Sequence, residues 1–220
     1  MGKQTYDALD RFGRERLSKS FFMRDFLYSE IANFYGVANM PEDPDLALAA
    51  GRRLCEDLLE PLQEQFGRIS IRSAFRSCEV NGLGNEKGHN CARNERNFAS
   101  HIWDRRDAAG AMGATACIVV NSFVPYYERT GRWEALAWWI HDHLPYSTMT
   151  FFPKLAALNL RWQEQPARHI KSEIPPRRGT LTKPGMPNFD GSHASEYAQW
   201  LVGSAAEADV VSAKQRKTRP

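Results

Sequence analysis

Three groups of side chains in this sequence could do chemistry by type and spacing: four cysteines, a His-Asp-His run and a close pair of aspartates. The cysteines are Cys55, Cys78, Cys91 and Cys117. No two form a Cys-x-x-Cys pair, which argues against a structural zinc knuckle. They read as four free thiols, with a Cys78–Cys91 disulfide conceivable only in an exported protein. His141-Asp142-His143 places two imidazoles at i and i+2. On a regular helix those positions lie about 200° apart, so the pair cannot share one metal ion. One packed and one solvated histidine is the expectation. Asp104 and Asp107 flank Arg105 and Arg106. They could hold a hard cation, but the reading preferred is that they pair with the two arginines. Trp133, Trp138 and Trp139 are read as core, with a stacking platform as the alternative.

The elements that must position these groups follow from the apolar pattern. Phe21 to Tyr35 reads as one helix, with Phe22, Phe26, Leu27, Ile31, Phe34 and Tyr35 at three- and four-residue steps and Gly36 as a left-handed stop. A second helix starts at Asp43 as cap with Pro44 in the first turn. It carries Leu54, Leu58, Leu62 and Phe66 on one face. Pro61 interrupts that pattern and should kink it. Ile69 and Ile71 alternate with Ser70 and Arg72, the mark of a short strand. Residues 81–97 are rich in Gly, Asn and charge and are read as a long surface loop. Ala114 to Val120 is a buried strand by its apolar run. Trp133, Leu136, Ile140 and Leu144 predict a third helix, ended by Pro145. Strands are expected over Thr148–Phe152, Leu155–Trp162 and His169–Ile174. In the second of these, Leu158, Leu160 and Trp162 share one face while Ala157, Asn159 and Arg161 share the other. Helices first, then mixed strands around one helix, is the α+β pattern. The organisation expected is a loose polar leader over 1–19, a folded domain over 20–175, and an arm and basic tail over 176–220, with the solvated part beginning near Gly203.

The chain has 220 residues, with six Trp, seven Tyr and twelve Phe. That is a packed globule rather than a disordered chain, and one large enough to bury roughly 70% of its unfolded surface without staples. The net charge of +3 is modest, and Lys214, Arg216, Lys217 and Arg219 supply much of the excess, so no nucleic-acid partner is expected. No apolar run approaches the length of a membrane span, and the polar first 19 residues lack the apolar stretch of a secretory signal. A cytoplasmic location with no membrane partner is the expectation.

One set of residues carries a family resemblance. Asn39-Met40-Pro41 is followed by a helix containing Leu59-Glu60-Pro61-Leu62. Then come Ile69-Ser70-Ile71-Arg72-Ser73-Ala74-Phe75-Arg76-Ser77 and Val80-Asn81. This order resembles the M15 peptidases, the zinc D-alanyl-D-alanine carboxypeptidases and endolysins that share a fold with the Hedgehog signalling domain. The family pattern is Ser-Gly-Tyr-Arg-Ser followed shortly by Asn, and here Ala74 and Phe75 stand for Gly and Tyr. The likeness spans roughly residues 20–165 and is more specific in its first half than in its second. It implies an α+β domain with a small mixed or antiparallel sheet and flanking helices.

The resemblance also implies a site. The family's Ser-x-His-x-x-Gly-x-Ala-x-Asp, whose His and Asp bind zinc, is opened by Ser100-His101. Without a gap its Asp falls on Ala108. With nine extra residues, Gly113-Ala114-Thr115-Ala116-Cys117 matches, with Cys117 for the Asp, and this placement is preferred because Cys117 then leads a buried strand. The closing Glu-x-x-His falls on Ala156 and Asn159, where the family has its general base and third ligand. His169 offers a rescue only through a ten-residue slip. On this alignment His101 and Cys117 are the candidate metal residues and zinc the candidate cofactor. Arg76 is the candidate substrate-binding residue, its planar fork suited to a carboxylate, with a structural ion pair as the alternative. A catalytic zinc takes three protein ligands and a water and works with a carboxylate base. Asn159 is a poor ligand and Ala156 cannot move a proton. A Cys117–His101 nucleophile pair is the minor reading, a small buried thiol the major one. Three functions follow as expectations. The first is an M15-like protein that binds a peptide or a peptidoglycan-derived ligand at a degenerate zinc site. The second is an active zinc carboxypeptidase or endopeptidase with atypical ligands. The third is a non-enzymatic structural protein of phage or mobile-element type.

Overall fold

A computed structural model describes residues 6–202 of the chain. The basic residues at 214–219 and the tail expected from Gly203 lie outside the described residues. The architecture is α+β: one six-stranded open sheet in the order β1-β2-β4-β3-β5-β6, with helices around it. The strands are β1 (Ile69–Ser73), β2 (Gly113–Val120), β3 (Thr148–Phe151), β4 (Leu158–Gln163), β5 (His169–Ser172) and β6 (Gly179–Thr182). All neighbouring pairs are antiparallel except β3 and β5, which run parallel. No described helix is long and apolar enough to cross a membrane.

The alternation seen in the sequence sets the two faces of the sheet. Ile118, Leu158 and Phe151 occupy one row across β2, β4 and β3, and all are fully buried. The next row holds Ser73, Cys117, Asn159 and Thr150, which are half-buried and polar. One face therefore closes the core and the other carries the chemistry.

The long second helix is broken as Pro61 requires. α3 (Pro44–Leu54), capped by the Asp43 side chain, widens into a π turn over Cys55–Leu59 before α4 (Glu60–Phe66). Glu60 N–H bonds to the Cys55 carbonyl five residues back. The wider turn makes room for the proline ring and its missing N–H. Leu54, Leu58 and Leu62 are fully buried, and Phe66 packs beside Trp139 and Trp200.

Three expectations fail. The leader is not loose: α1 (Tyr6–Gly13) and the turn after it send Phe12 and Leu17 into the core. Glu60, itself buried, ties this segment down by accepting bonds from Ser18 Oγ (2.7 Å), Ser20 N and Ser20 Oγ. The helix expected over Phe21–Tyr35 is two pieces, a 3-10 turn at Met23–Phe26 and α2 (Glu30–Tyr35). Ser29 starts the second piece by accepting from Ala32 N, so the period breaks there and Phe34 is left 81% exposed. The loop expected at 81–97 contains α5 (Cys78–Glu86), capped by Ser77, and the single turn α6 (Asn94–Asn97). Asn81, Asn94 and Asn97 hydrogen-bond among themselves and to the Ala92 carbonyl, which gives this asparagine-rich stretch its order.

Beyond β2, the chain forms α7 (Val124–Thr130) and α8 (Glu134–His143). Trp133, Trp138 and Trp139 are buried against the core, as expected. The segment after β6 folds back as a helix over 194–202, α9. Trp200 on α9 is 1% exposed among Phe66, Phe123 and Tyr126. His193 stacks flat on Trp138 at 3.9 Å and bonds to Asp142 through both its backbone N and its Nδ1.

Candidate functional site

The site is built where three strands lie side by side. Ser73 on β1 faces Cys117 on β2, and Cys117 faces Asn159 on β4. Ser73 ends β1, and the chain then turns through Ala74 and Phe75 to Arg76. That turn is pinned from both sides. Phe75 N donates to the Phe26 carbonyl, and Arg76 N donates to the His101 carbonyl at 2.8 Å. Asn39, from the Asn-Met-Pro connector, donates to the Leu27 and Phe75 carbonyls and accepts from Ser77 N.

Arg76 is thus next to His101 and its charge reaches both His101 and Cys117, but Arg76 and Cys117 line different hollows and His101 lines neither of them. His101 is 6% exposed, and its Nδ1 lies 2.8 Å from the Ala74 carbonyl. A carbonyl only accepts, so Nδ1 carries the proton and Nε2 keeps a lone pair. Burial, with the nearby Arg76 and Arg161 charges, drives its pKa down to about 3, so the imidazole is neutral. Burial raises the Cys117 thiol pKa, and Arg72 and Arg76 pull the other way without overcoming it. Cys117 is therefore a protonated thiol near neutrality, neither a ready nucleophile nor a preformed metal ligand.

Arg76 is the half-buried centre of the site. Its Nη1 donates to Cys91 Sγ at 2.7 Å, and its buried Nε has no partner. It has no carboxylate partner among the described residues. Arg161, on the same face of β4 as Asn159, gives its Nε to the Ala99 carbonyl and is also half-buried. Arg72 is exposed at the end of β1. Arg72 and Arg76 place positive charge near Cys117, and Arg76 and Arg161 near His101, while the exposed Glu30 is the carboxylate that borders the same region.

Two adjoining hollows open here and share Glu30 and Ser73. The larger, about 450 Å³, runs from Arg76 and Phe75 to Tyr28, Ile31, Phe34 and Tyr35. The smaller, about 300 Å³, holds Arg72, Cys117, Lys154 and Leu155. Leu155 and Ala156 at its edge both have positive φ, 61° and 47°, a strained pair of non-glycine residues beside the cleft. Arg72, Arg161, Lys154 and Glu30 were not singled out from the sequence. The alternation of Asn159 with Arg161 on one strand face was the signal available for Arg161.

The other sequence candidates lie elsewhere. His169 sits on β5, three strand spacings from β2, roughly 14 Å, and bonds to Thr180; it cannot join Cys117 at one ion. Asp104 and Asp107 do not pair with their neighbouring arginines. Asp104 is buried and accepts from Glu42 N, while Asp107 accepts from Gln163, Ala109 N and Ala111 N. Arg105 pairs with Glu42 and Arg106 with Glu164 instead. His141 is buried between Tyr146 and the Phe189 carbonyl, and His143 is exposed. The four cysteines are free thiols.

The donors at the aligned positions do not fit a catalytic zinc. His101 and a protonated Cys117 are two potential ligands where three are needed, Asn159 is neutral, and Ala156 is 1% exposed with only a methyl group. Among the described residues no group of three or more His, Cys, Asp or Glu is arranged to hold a metal ion. Three nearby arginines would oppose a dication as firmly as they would favour an anion. No family model matches this chain, and no curated protein and no solved structure matches it.

Proposed function

We propose that this protein is a relative of the M15 peptidases, with their Hedgehog-like fold, whose hydrolytic zinc site is degenerate and whose adjoining cleft, lined by Arg76, binds a peptide or cell-wall-derived ligand with a free carboxylate. The observation that carries this reading is the state of Arg76. A half-buried guanidinium lines a 450 Å³ cleft with a buried Nε unpartnered and only a thiol on Nη1. An arginine that served the fold would be paired, because an unmatched donor in a buried position costs free energy. A carboxylate in the cleft would supply the ion pair that this guanidinium lacks among the described residues. Cys117 on β2 lies opposite Asn159 on β4, which supports reading the two as counterparts of the family's Asp and last His. Loss of the base and of a ligand on that framework leaves recognition without cleavage.

The test is binding of an acetylated stem-like peptide, as free acid and as amide, by calorimetry on the full chain. The acid should bind about tenfold to a hundredfold more tightly than the amide, the worth of one charge-assisted pair, and Arg76→Gln should erase the difference. The peptide should be recovered intact after incubation with added zinc. Equal binding of acid and amide, or turnover dependent on zinc and His101, would overturn the proposal.

A further inference from the structure

The apolar walls of the larger hollow point to the residue that would bear that carboxylate. From Arg76 the cleft leads to Ile31, Phe34, Tyr28 and Tyr35, and its lining is more apolar than polar. Phe34 is 81% and Tyr28 58% exposed, with the Phe34 and Tyr35 rings edge to face at 4.9 Å. These rings are not held open by chance of sequence. Ser29 starts the chain again as α2, and on that helix Phe34 faces outward. Gly84 on α5 lets that helix lie close beneath: a Cβ there would come within 2.6 Å of Cys91 Sγ and 2.7 Å of Ile31 Cδ1. The same cysteine accepts from Arg76. The apolar wall and the cation are therefore fixed to each other through Cys91.

Resting on the reading above, we infer that the cleft selects peptides whose terminal residue has a bulky apolar side chain, with Arg76 taking the carboxylate and the Ile31–Phe34–Tyr28 wall taking the side chain. A cation at one end and an apolar wall at the other complement that occupant, and Glu30, the carboxylate among the lining residues, disfavours any further negative charge on it. A terminal alanine would satisfy Arg76 but leave most of a 450 Å³ space to water, and the exposed rings uncovered. A side chain the size of Leu or Phe would bury apolar surface on both partners, which sets the expected gain at about tenfold or more.

The experiment compares three acetylated tetrapeptides identical except for a terminal Ala, Leu or Phe, each as free acid and as amide, by calorimetry with the full chain. Leu and Phe acids should bind about tenfold or more tightly than the Ala acid. Phe34→Ala, a substitution at an exposed position that should leave folding intact, should narrow the ratio of the Leu and Phe acids to the Ala acid, measured within the variant, to about twofold. If the Ala acid binds as tightly as the Leu and Phe acids, or if Phe34→Ala weakens all three equally, the selectivity inferred is wrong and carboxylate binding by Arg76 stands. If no acid binds better than its amide, the reading it rests on falls as well.

Discussion

Lowering the pH from 7.5 to 5 should destabilise this protein through His101 by an amount that can be worked out. In the native state the imidazole is buried, donates to the Ala74 carbonyl and lies near Arg76 and Arg161, so it stays neutral down to about pH 3. In the unfolded chain it takes up a proton near its ordinary pKa of about 6.5. Between those values the unfolded state binds more protons, so stability rises with pH across the window and is lost as the pH falls from about 6.5 towards 3. At pH 5 the unfolded imidazole is about 1.5 units below its pKa, worth about 2 kcal/mol at 1.36 kcal/mol per unit. His141, also held below its ordinary pKa by burial, contributes in the same direction, and carboxylates titrate too. The assay is therefore a double difference: urea unfolding at pH 7.5 and 5 for the wild type and for His101→Gln. The wild type should lose about 2 kcal/mol more than the variant over that interval. Equal losses, or an NMR titration placing the His101 pKa near 6.5, would refute a buried neutral imidazole and with it the electrostatics assigned to the site.

Other outcomes follow from the same geometry. Gly113→Ala should cost about 1–3 kcal/mol in chemical denaturation, because a Cβ would collide with the Ala99 carbonyl oxygen and lie 2.9 Å from that of Trp162; an unchanged midpoint would contradict the close approach. Cys117 should react slowly with iodoacetamide at pH 7.5 and faster as the pH rises, followed by peptide mass spectrometry. Arg72→Ala should slow it further by removing a charge that favours the thiolate. Rapid labelling at neutral pH would refute the protonated thiol. Asp142→Ala should weaken folding by about 2–4 kcal/mol, since it removes both bonds to His193 and one from Tyr197, with loosened docking of α9 seen as faster amide exchange over 194–202.

Five of the six strands were legible in the sequence because their period is short and local; β6, within the segment read as an arm, was not. Ile69–Ser73, Ala114–Val120 and the two faces of Leu158–Trp162 lie where alternation and apolar runs put them. The break at Pro61 was also legible, though its form, a π turn, depends on how the neighbouring leucines must face. α5 was hidden because Asn81, Gly82 and Gly84 are poor helix formers; contacts from Asn94 and Cys91 override that preference. The split at Ser29 was masked by an unbroken run of aromatics, some of which face solvent. At the site, Arg76, His101 and Cys117 could be named from motif positions. The charge around them could not, because Arg72 and Lys154 reach the smaller hollow, and Arg161 reaches His101, through sheet register and a late turn that no local pattern records.

The docking of α9 has a consequence for the covalent chain. Trp200 fills a socket made by Phe66, Phe123 and Tyr126, while the link before it passes through an exposed turn at Gly185 with φ of 84°. What holds this helix is the socket and the His193–Asp142 clasp rather than the peptide bonds of the link. The molecule is in effect a lock supplied with its own key on a short string. Cut at Gly185, it becomes a pair of fragments with matched surfaces, able to recombine without a covalent joint. Neither half has a finished interior alone.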